Sequence, residues 1–317
     1  MTRDHGGNID RARAKWGGAD WIDLSTGINR VPYPLPDLPP EVWTDLPTAE
    51  AKARLIAAAR AALGTSAPGI ALAGAQAAIQ MVPRLGPPGR ARVLAPTYNE
   101  HAASLRAAGW QVVEVATPEA LAGADLAVVV NPNNPDGRCH DPAALRALAG
   151  QVGLLVVDES FADPRPDLSL LPGPGPALVL RSFGKFWGLA GVRLGFAFGP
   201  AALIDRMEEM AGPWPVSGAA IALGTQALAD AGWAAATITR LTEDAARMDR
   251  LATARGWQLI GGTPLFRSYH APDAAAAQDH LARHRIWSRI FPWSPSWIRL
   301  GLPAPGEWAR VAAALQA

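Results

Sequence analysis

The sequence is poor in cysteine and contains no long apolar run. Its one cysteine excludes an internal disulfide framework and indicates a reducing compartment. The N-terminal residues MTRDHGGNID contain no apolar stretch of the kind that a secretory signal needs, and no apolar run approaches the length of a membrane span. We therefore expect a cytoplasmic protein with no membrane partner.

An excess of charge of either sign is also missing. The formal net charge is +1, from 29 basic and 28 acidic residues. The arginines are scattered along the chain, so there is no electrostatic footprint for nucleic acid, and we expect no nucleic-acid partner. Hydrophobic residues make up 49% of the 317 residues, which indicates a folded globular chain with a large core.

Lysine is scarce, since the basic residues other than Lys15, Lys52 and Lys185 are arginine. The composition therefore favours arginine wherever only a positive charge is needed. Lys185 lies in the apolar, Gly-rich stretch SFGKFWGLAGVRLG. A lysine kept there indicates chemistry that arginine cannot perform, such as imine formation, although a surface lysine after a strand also fits the pattern.

Short apolar runs alternate with amphipathic stretches of helical length through the middle of the chain. The runs are GIALAG, ARVLAP, DLAVVVNP, GLLVVDES and ALVLRSFGK. Runs that are apolar on both faces are typical of a parallel sheet covered by helices. Thr48 and the apolar spacing of the residues after it predict the first long helix. The predicted fold class is α/β, with a mainly parallel sheet sandwiched by helices.

A change of pattern along the chain predicts two domains. Residues 46–205 carry the alternating runs and form the larger α/β domain. Residues 206–317 combine long Ala-rich helices with strands such as WQLIGG and WIRLGL, which indicates a smaller α+β domain. Residues 1–45 are rich in Pro, Gly and Trp, and PYPLPDLPP at 32–40 predicts an extended arm that joins the smaller domain.

Polar residues follow the predicted strands, at the edge where parallel α/β sheets bind ligands. These loops are GAQ (74–76), PTYNE (96–100), NPNNPDG (131–137), DES (158–160) and SFGK (182–185). Asp158 ends an apolar run, where a carboxylate needs a cation or several hydrogen bonds. Taken alone, Asp158 fits a structural role, as a helix cap or in an ion pair, as well as it fits a functional one.

Together these residues match the chemical needs of pyridoxal phosphate. A lysine can form an imine with its aldehyde, an acid can keep its ring nitrogen protonated, and Ser182 with Arg193 can surround its phosphate. The signature S-x-x-K with an arginine eight residues later, the loop NPNNPDG and the strand end VVDES resemble the fold-type I pyridoxal-phosphate enzymes. The resemblance covers residues 45–200 and is to the branch that contains histidinol-phosphate aminotransferase.

The resemblance implies a role for each matching residue. Lys185 would carry the cofactor and move protons, and Asp158 would pair with the pyridinium nitrogen. Arg299, in WIRLG, would receive a substrate carboxylate, since a planar guanidinium suits that task. The other implied cofactor contacts are Asn134 at the ring hydroxyl, Tyr98 on the ring face, and Ser182, Arg193 and the amides of Ala75 and Gln76 at the phosphate.

The chain departs from the family pattern at two positions, and it offers no metal site. Phe161 stands where the family commonly has a tyrosine, which removes one partner of the ring hydroxyl. Leu46-Pro47 replaces a Tyr-Pro that contacts the cofactor phosphate across a dimer, which weakens an inference of transaminase activity. His280 and His284 lack a third ligand, so we expect no metal.

The ends of the chain narrow the resemblance to a subgroup of that branch. HGGN at 5–8, IDLSTGIN at 22–29, TPLFRSY and WSRIFPWSPSWIRLGLP resemble a subgroup that decarboxylates threonine phosphate in cobalamin biosynthesis. This implies a homodimer that converts the small phosphorylated amino acid O-phospho-L-threonine to (R)-1-aminopropan-2-ol phosphate. The substrate residues it implies beside Arg299 are His5, Gly6, Gly7, Arg267 and Arg289, the phosphate being held by some of Arg289, Arg267 and His5.

Two other functions stay open at this point. The chain could be an aminotransferase of the histidinol-phosphate type, because that reaction uses the same fold and cofactor. It could also be a catalytically silent subunit or regulator, although such a protein has no chemical need for Lys185, Asp158, Asn134 and Arg193 together.

Overall fold

The computed structural model describes residues 5–316. The helices are, in chain order, α1 (Ile9–Trp16), α2 (Glu41–Thr44), α3 (Ala49–Leu63), α4 (Ala75–Met81), α5 (Glu100–Ala107), α6 (Pro142–Ala149), α7 (Ala201–Ala211), α8 (Gly218–Ala229), α9 (Ala231–Ala254), α10 (Ala274–Arg283) and α11 (Trp308–Gln316). The strands are β1 (Ile22–Asp23), β2 (Gly69–Leu72), β3 (Arg90–Leu94), β4 (Gln111–Val115), β5 (Leu126–Val130), β6 (Leu155–Asp158), β7 (Leu178–Ser182), β8 (Gly195–Phe198), β9 (Gln258–Thr263), β10 (Phe266–His270), β11 (Ile286–Trp287), β12 (Arg289–Phe291) and β13 (Ser294–Gly301).

The larger of two compact units consists of Tyr33–Asn134 and Cys139–Ala234. The smaller unit holds the described residues up to Pro32, Pro135–Arg138, and those from Ala235 onward. These limits differ from the predicted domain boundaries, because α7 and α8 group with the larger unit. Helix α8 packs against α2 and α3, which belong to the larger unit. The contact with α2 is so close that a Cβ on Gly218 would lie 2.3 Å from the Val42 carbonyl oxygen.

A seven-stranded sheet forms the centre of the larger unit, in the order β2-β8-β7-β6-β5-β3-β4. Every neighbouring pair is parallel except those that involve β8, which runs antiparallel to both β2 and β7. The residues of β5, LAVVV, are buried throughout, as the middle of a sheet covered on both faces requires. The predicted α/β fold with a mainly parallel sheet is confirmed.

Local sequence signals explain the first long helix and the break after α8. The Thr48 hydroxyl accepts a hydrogen bond from the Ala51 amide at 3.1 Å, and α3 ends at Gly64 in the left-handed conformation (φ 62°). The long Ala-rich stretch after Ser217 divides into two helices at Asp230, whose carboxylate accepts the Trp233 amide at 2.9 Å and so begins α9.

The sheet order brings the predicted ligand loops to one edge. The neighbouring strands β5, β6 and β7 are parallel and in register, with Val130 opposite Asp158 and Asp158 opposite Leu180. The loop after Val130 and the strand ends at Asp158 and Ser182 therefore lie side by side. This edge is where open α/β sheets bind ligands.

The smaller unit contains an antiparallel sheet, in the order β12-β13-β10-β9, and the short parallel pair β1-β11. On β13, Arg299 lies directly opposite both Ser268 of β10 and Arg289 of β12. Helix α1, which the sequence analysis did not predict, packs against α10. Within residues 5–316, no helix has the length and apolar character that crossing a membrane demands.

Candidate active site

Asp158 is the most enclosed of the predicted catalytic groups. It ends β6 with 2% of its surface exposed. Its Oδ2 lies 2.8 Å from His101 Nε2, and its Oδ1 accepts the Ser160 amide at 2.9 Å and the Ser160 hydroxyl at 2.5 Å. Burial raises the pKa of Asp158, but the hydrogen bonds from His101 and Ser160 outweigh it and hold the pKa below its usual value. Asp158 is therefore a buried carboxylate at neutral pH.

His101 belongs to this site although no motif in the sequence marks it. His101 lies on α5, three residues after Tyr98, and the two rings meet edge to face with centroids 6.2 Å apart. Tyr98 lies in the loop just before α5, so its closeness to His101 along the chain was the local signal that could have placed the two rings together. The contact of His101 with Asp158 spans 57 positions and has no local sequence signal.

Lys185 follows β7 in a loop that aromatic packing holds in place. Its Nζ lies 5.7 Å from the ring centroid of Phe161. On either side of it, Phe183 stacks on Trp187 with centroids 5.5 Å apart, and Phe186 meets Trp187 edge to face at 5.3 Å. The rings restrict the loop, so they restrict where the lysine side chain can reach.

Arg193 and the start of α4 form a cradle for an anion. Arg193 has a left-handed backbone (φ 56°) and donates to the Ala190 carbonyl at 3.0 Å. A Cβ on Gly74 would lie 2.6 Å from Arg193 Nη2, so the absence of a side chain at Gly74 makes room for the guanidinium. Gly74 is the N-cap of α4 and no side chain caps that end, so the amides of Ala75 and Gln76 are available there.

The side chains of the neighbouring loops hold one another in position. Tyr98 donates its hydroxyl hydrogen to Gln76 Oε1 at 3.2 Å, and Gln76 Nε2 donates to Glu100 at 3.1 Å. Asn133, the residue before Asn134, uses its side-chain amide in two hydrogen bonds. Its Oδ1 accepts from the Thr97 hydroxyl at 2.6 Å, and its Nδ2 donates to the Pro96 carbonyl at 2.9 Å. These contacts fix the loops that carry Tyr98 and Asn134.

The predicted cofactor residues all lie in the larger unit, and their donor set fits pyridoxal phosphate. Lys185 supplies an amine, Asp158 a buried carboxylate for a protonated ring nitrogen, and Asn134 a hydrogen-bonding amide. Ser182, on the last residue of β7, and the Arg193–Gly74 cradle supply donors for a phosphate. Nothing in the arrangement conflicts with that cofactor. Among the described residues there is no cluster of His, Cys, Asp or Glu that could hold a metal ion.

Arg299 is a buried cation in the smaller unit. It is 6% exposed, its Nη2 donates to the Ser25 carbonyl at 2.8 Å, and its guanidinium lies 5.1 Å from the Phe266 ring centroid. Burial lowers the pKa of Arg299, the positive charge of Arg289 lowers it further, and Asp23 opposes both, so the pKa falls to about 9. Two arginines facing each other across neighbouring strands favour the binding of anions.

The sheet register separates Arg267 from the other predicted substrate residues. Arg267 pairs with Leu300 across β10 and β13, whereas Arg299 pairs with Ser268, so Arg267 and Arg299 point to opposite faces of the sheet. Arg267 donates from Nε and Nη2 to the two carboxylate oxygens of Asp249, at 2.9 and 2.7 Å. The expectation that Arg267 joins Arg289 and His5 is corrected here: strand parity places it on the other face.

The N-terminal glycines lie against Ser25. The Gly7 amide donates to the Ser25 hydroxyl at 2.8 Å, and a Cβ on Gly6 would come within 2.3 Å of the Ser25 carbonyl oxygen. His5, Gly6, Ser25 and Arg289 line one cavity of about 200 Å³ in the smaller unit. Of the predicted substrate residues, His5, Gly6 and Arg289 therefore line this cavity, Gly7 follows Gly6 along the chain, and Arg299 contacts the cavity residue Ser25 without lining the cavity itself.

Known proteins resemble this chain over nearly its whole length. The family model described as aminotransferase class I and II matches residues 48–317. A threonine-phosphate decarboxylase of Pseudomonas aeruginosa is 43% identical over 325 residues, which cover 98% of this chain and 97% of that protein. Another, from Sinorhizobium sp, is 42% identical over 311 residues, covering 94% and 92%.

A solved structure shares the fold. Histidinol-phosphate aminotransferase from Sinorhizobium meliloti, in complex with pyridoxal-5'-phosphate, matches with a TM-score of 0.85 at 20% identity. The match covers 100% of this chain and 94% of that one.

Proposed function

Because the chain belongs to the aminotransferase class I and II family, we propose that it is a pyridoxal-phosphate enzyme that decarboxylates O-phospho-L-threonine. The product is (R)-1-aminopropan-2-ol phosphate, and the pathway is cobalamin biosynthesis. The observation that carries the proposal is that Arg289 and Arg299 lie opposite each other on the neighbouring strands β12 and β13. Two positive charges so placed suit a substrate with two anionic groups. The names of the two relatives above support the same substrate.

The cofactor residues have separate tasks in this reaction. When bound, pyridoxal phosphate supplies an electron sink for the pair released when a bond to the α-carbon breaks. The Asp158 carboxylate, kept charged by His101 and Ser160, holds the proton on the ring nitrogen. Asn134 binds the ring hydroxyl, which receives no hydrogen bond from Phe161. Tyr98 covers the ring face.

The cofactor phosphate is held by the cradle at the start of α4. Arg193 donates to it from the position beside Gly74, and Ser182 donates its hydroxyl hydrogen. The amides of Ala75 and Gln76 add the donors of a helix N-terminus, where an anion is favoured.

Arg299 and Lys185 determine which bond breaks and what replaces it. Arg299 binds the substrate carboxylate and orients it, so that the bond to the carboxylate carbon is the one that breaks. Lys185 then donates a proton from Nζ to the α-carbon after carbon dioxide leaves. An aminotransferase would instead use the same amine to remove the α-hydrogen.

The proposal includes a cytoplasmic homodimer. Its support is the single cysteine of the chain and a set of apolar side chains that stay open to solvent on the larger unit. Leu35, Trp43, Leu46 and Trp214 are exposed by 70%, 68%, 64% and 53%. A second copy that covers them would remove a large apolar area from water. Light scattering of the purified protein tests this: a mass twice 33.3 kDa is expected, and a monomer would contradict it.

The reaction is tested by incubating the purified protein with pyridoxal phosphate and O-phospho-L-threonine in the absence of an oxo acid. We expect carbon dioxide and the phosphorylated amine in equal amounts. Lys185→Ala should abolish both products, whereas Lys15→Ala, which removes an exposed lysine paired with Asp279, should change neither.

Two results would contradict the decarboxylase. Amino transfer to 2-oxoglutarate without release of carbon dioxide would assign the chain to the histidinol-phosphate type of aminotransferase. The absence of turnover of either kind would favour a silent subunit with the same fold.

A further inference from the structure

Among the described residues, the arginines that line the cavity beside β12 give it a positive charge. Its volume is about 200 Å³, and its polar lining includes His5, Arg11, Ser25, Ser288 and Arg289. Among the described residues that line it there is no carboxylate. Two guanidinium groups around a small polar space favour a compact ligand with more than one negative charge, such as a phosphate monoester.

Ser288 gives a second, independent sign of a ligand. It lies between β11 and β12 and is 1% exposed. Its carbonyl accepts from Gln278 Nε2 at 2.8 Å, which fixes the backbone, but within the described part of the chain its hydroxyl has no hydrogen-bond partner. A buried hydroxyl without a partner is unfavourable, so one that lines a cavity next to an arginine calls for an acceptor that enters the cavity.

Arg11 reaches the same space from the smaller unit's first helix. Asn8 caps α1, and its side-chain oxygen accepts the Arg11 amide at 3.2 Å, so Arg11 lies in the first turn. Two residues on, Arg13 pairs with Asp10 at 3.1 Å and is not among the residues that line the cavity. The two arginines of α1 therefore differ in surroundings although both are exposed to solvent.

We propose that Ser288 and Arg11 bind the phosphate group of the substrate, beside Arg289 and His5. The inference rests on the proposed function, which supplies a phosphorylated amino acid as the ligand. Ser288 donates its hydroxyl hydrogen to a phosphate oxygen, and Arg11 donates from its guanidinium at the cavity rim. Both residues determine specificity for the phosphorylated substrate over the free amino acid.

The test measures binding rather than turnover, so that it does not depend on the reaction. Calorimetry compares 1-aminopropan-2-ol phosphate with 1-aminopropan-2-ol on the holoenzyme. For Ser288→Ala and Arg11→Met we expect about tenfold weaker binding of the phosphorylated amine, as for a lost hydrogen bond to a charged group, and no change for the other amine. Arg13→Met is the matched control and should bind both amines as the unsubstituted protein does.

Thermal denaturation without ligand separates binding from a structural role. Removing an unsatisfied buried hydroxyl should leave the melting temperature of Ser288→Ala unchanged or higher, whereas loss of a hydroxyl that supports the fold would lower it. A lower melting temperature, or equal loss of affinity for both amines, would overturn the role of Ser288. Unchanged affinity for the phosphorylated amine in Arg11→Met would overturn that of Arg11.

Release of carbon dioxide from O-phospho-L-threonine, measured with the same protein preparations, distinguishes this inference from the proposed function. If the unsubstituted holoenzyme prefers the phosphorylated amine but releases no carbon dioxide, the decarboxylase proposal fails and the phosphate site stands. If it binds the two amines equally, the phosphate site fails.

Discussion

Replacing His101 by alanine should destabilise the protein at neutral pH by removing the partner of a buried carboxylate. The change deletes one charge-assisted hydrogen bond, 2.8 Å long, between groups that are almost fully enclosed. The two hydrogen bonds from Ser160 to Asp158 remain, so the loss is that of one bond and not of the whole site. We expect a decrease of about 2–3 kcal/mol in the free energy of unfolding.

The pH dependence of this loss follows from the pKa of Asp158. In the unsubstituted protein that pKa lies below its usual value, so the contribution of Asp158 to stability is present above pH 3.8 and is lost as the pH falls through the folded pKa. Without His101, burial raises the pKa of Asp158 with less opposition. Its carboxyl group then takes up a proton as the pH falls, which relieves the penalty, so the difference between the two proteins should shrink on acidification.

Thermal denaturation of the apoprotein, in which no ring nitrogen gives Asp158 a further partner, measures the effect at about pH 8 and about pH 5. The loss corresponds to a fall of about 4–12 °C in melting temperature at the higher pH. His101→Gln, which keeps an amide donor at similar reach but cannot become positive, is the matched control and should lose less than half as much. A melting temperature of His101→Ala within about 1 °C of the unsubstituted protein, or a difference that grows on acidification, would refute the reasoning.

Other predictions concern the buried ion network, the phosphate cradle and the substrate arginines. Arg181→Met should cost about 3–5 kcal/mol in thermal unfolding, because Arg181 bridges two buried carboxylates at 3.0 and 2.9 Å that would be left without their cation. Gly74→Ala should weaken pyridoxal phosphate binding about tenfold in a titration of the apoprotein, since its Cβ would displace Arg193 and one charge-assisted bond would be lost. Affinity for O-phospho-L-threonine should fall at high pH, because burial and the charge of Arg289 lower the pKa of Arg299, and Arg289→Met should move the midpoint of that fall upward because a repelling charge is gone.

Each of these predictions has a control or an outcome that contradicts it. Arg165→Met breaks an exposed pair with Asp167 and should cost less than about 1 kcal/mol, so an equal loss in both variants would argue against the buried network. Gly64, like Gly74, has a positive φ, but a Cβ there meets no atom within 4 Å, so Gly64→Ala should leave cofactor affinity unchanged. A pH midpoint that Arg289→Met leaves in place would show that Arg289 does not act on Arg299.

Apolar runs on both faces were sufficient to predict the parallel strands and the loops that follow them, because a buried strand has to be apolar throughout. The edge strand β4 was missed: its sequence QVVEV is partly exposed and carries a charge, which hides the pattern. β8 was missed as well. Its antiparallel direction depends on how the chain turns back after β7 to pair with it, and no local signal encodes that.

The site residues also divide into those that a local sequence signal identifies and those that it does not. Lys185, Asp158 and Arg193 have fixed spacing along the chain, so a motif can identify them. The face to which Arg267 points depends on the pairing of β10 with β13, and a shift of one residue in that register would reverse it. His101 and Ser288 became visible only through partners distant in sequence, or through the lack of one within the described residues.

The most direct test of the proposed decarboxylation is the hydrogen content of the amine formed from O-phospho-L-threonine in deuterated water. If Lys185 returns a solvent-derived proton to the α-carbon after carbon dioxide leaves, the product retains the original α-hydrogen and gains one deuterium, which nuclear magnetic resonance detects as a CHD group. Recovery of O-phospho-L-threonine that carries deuterium at the α-carbon, with no amine formed, would show that the bond to hydrogen breaks instead, and would contradict the decarboxylase.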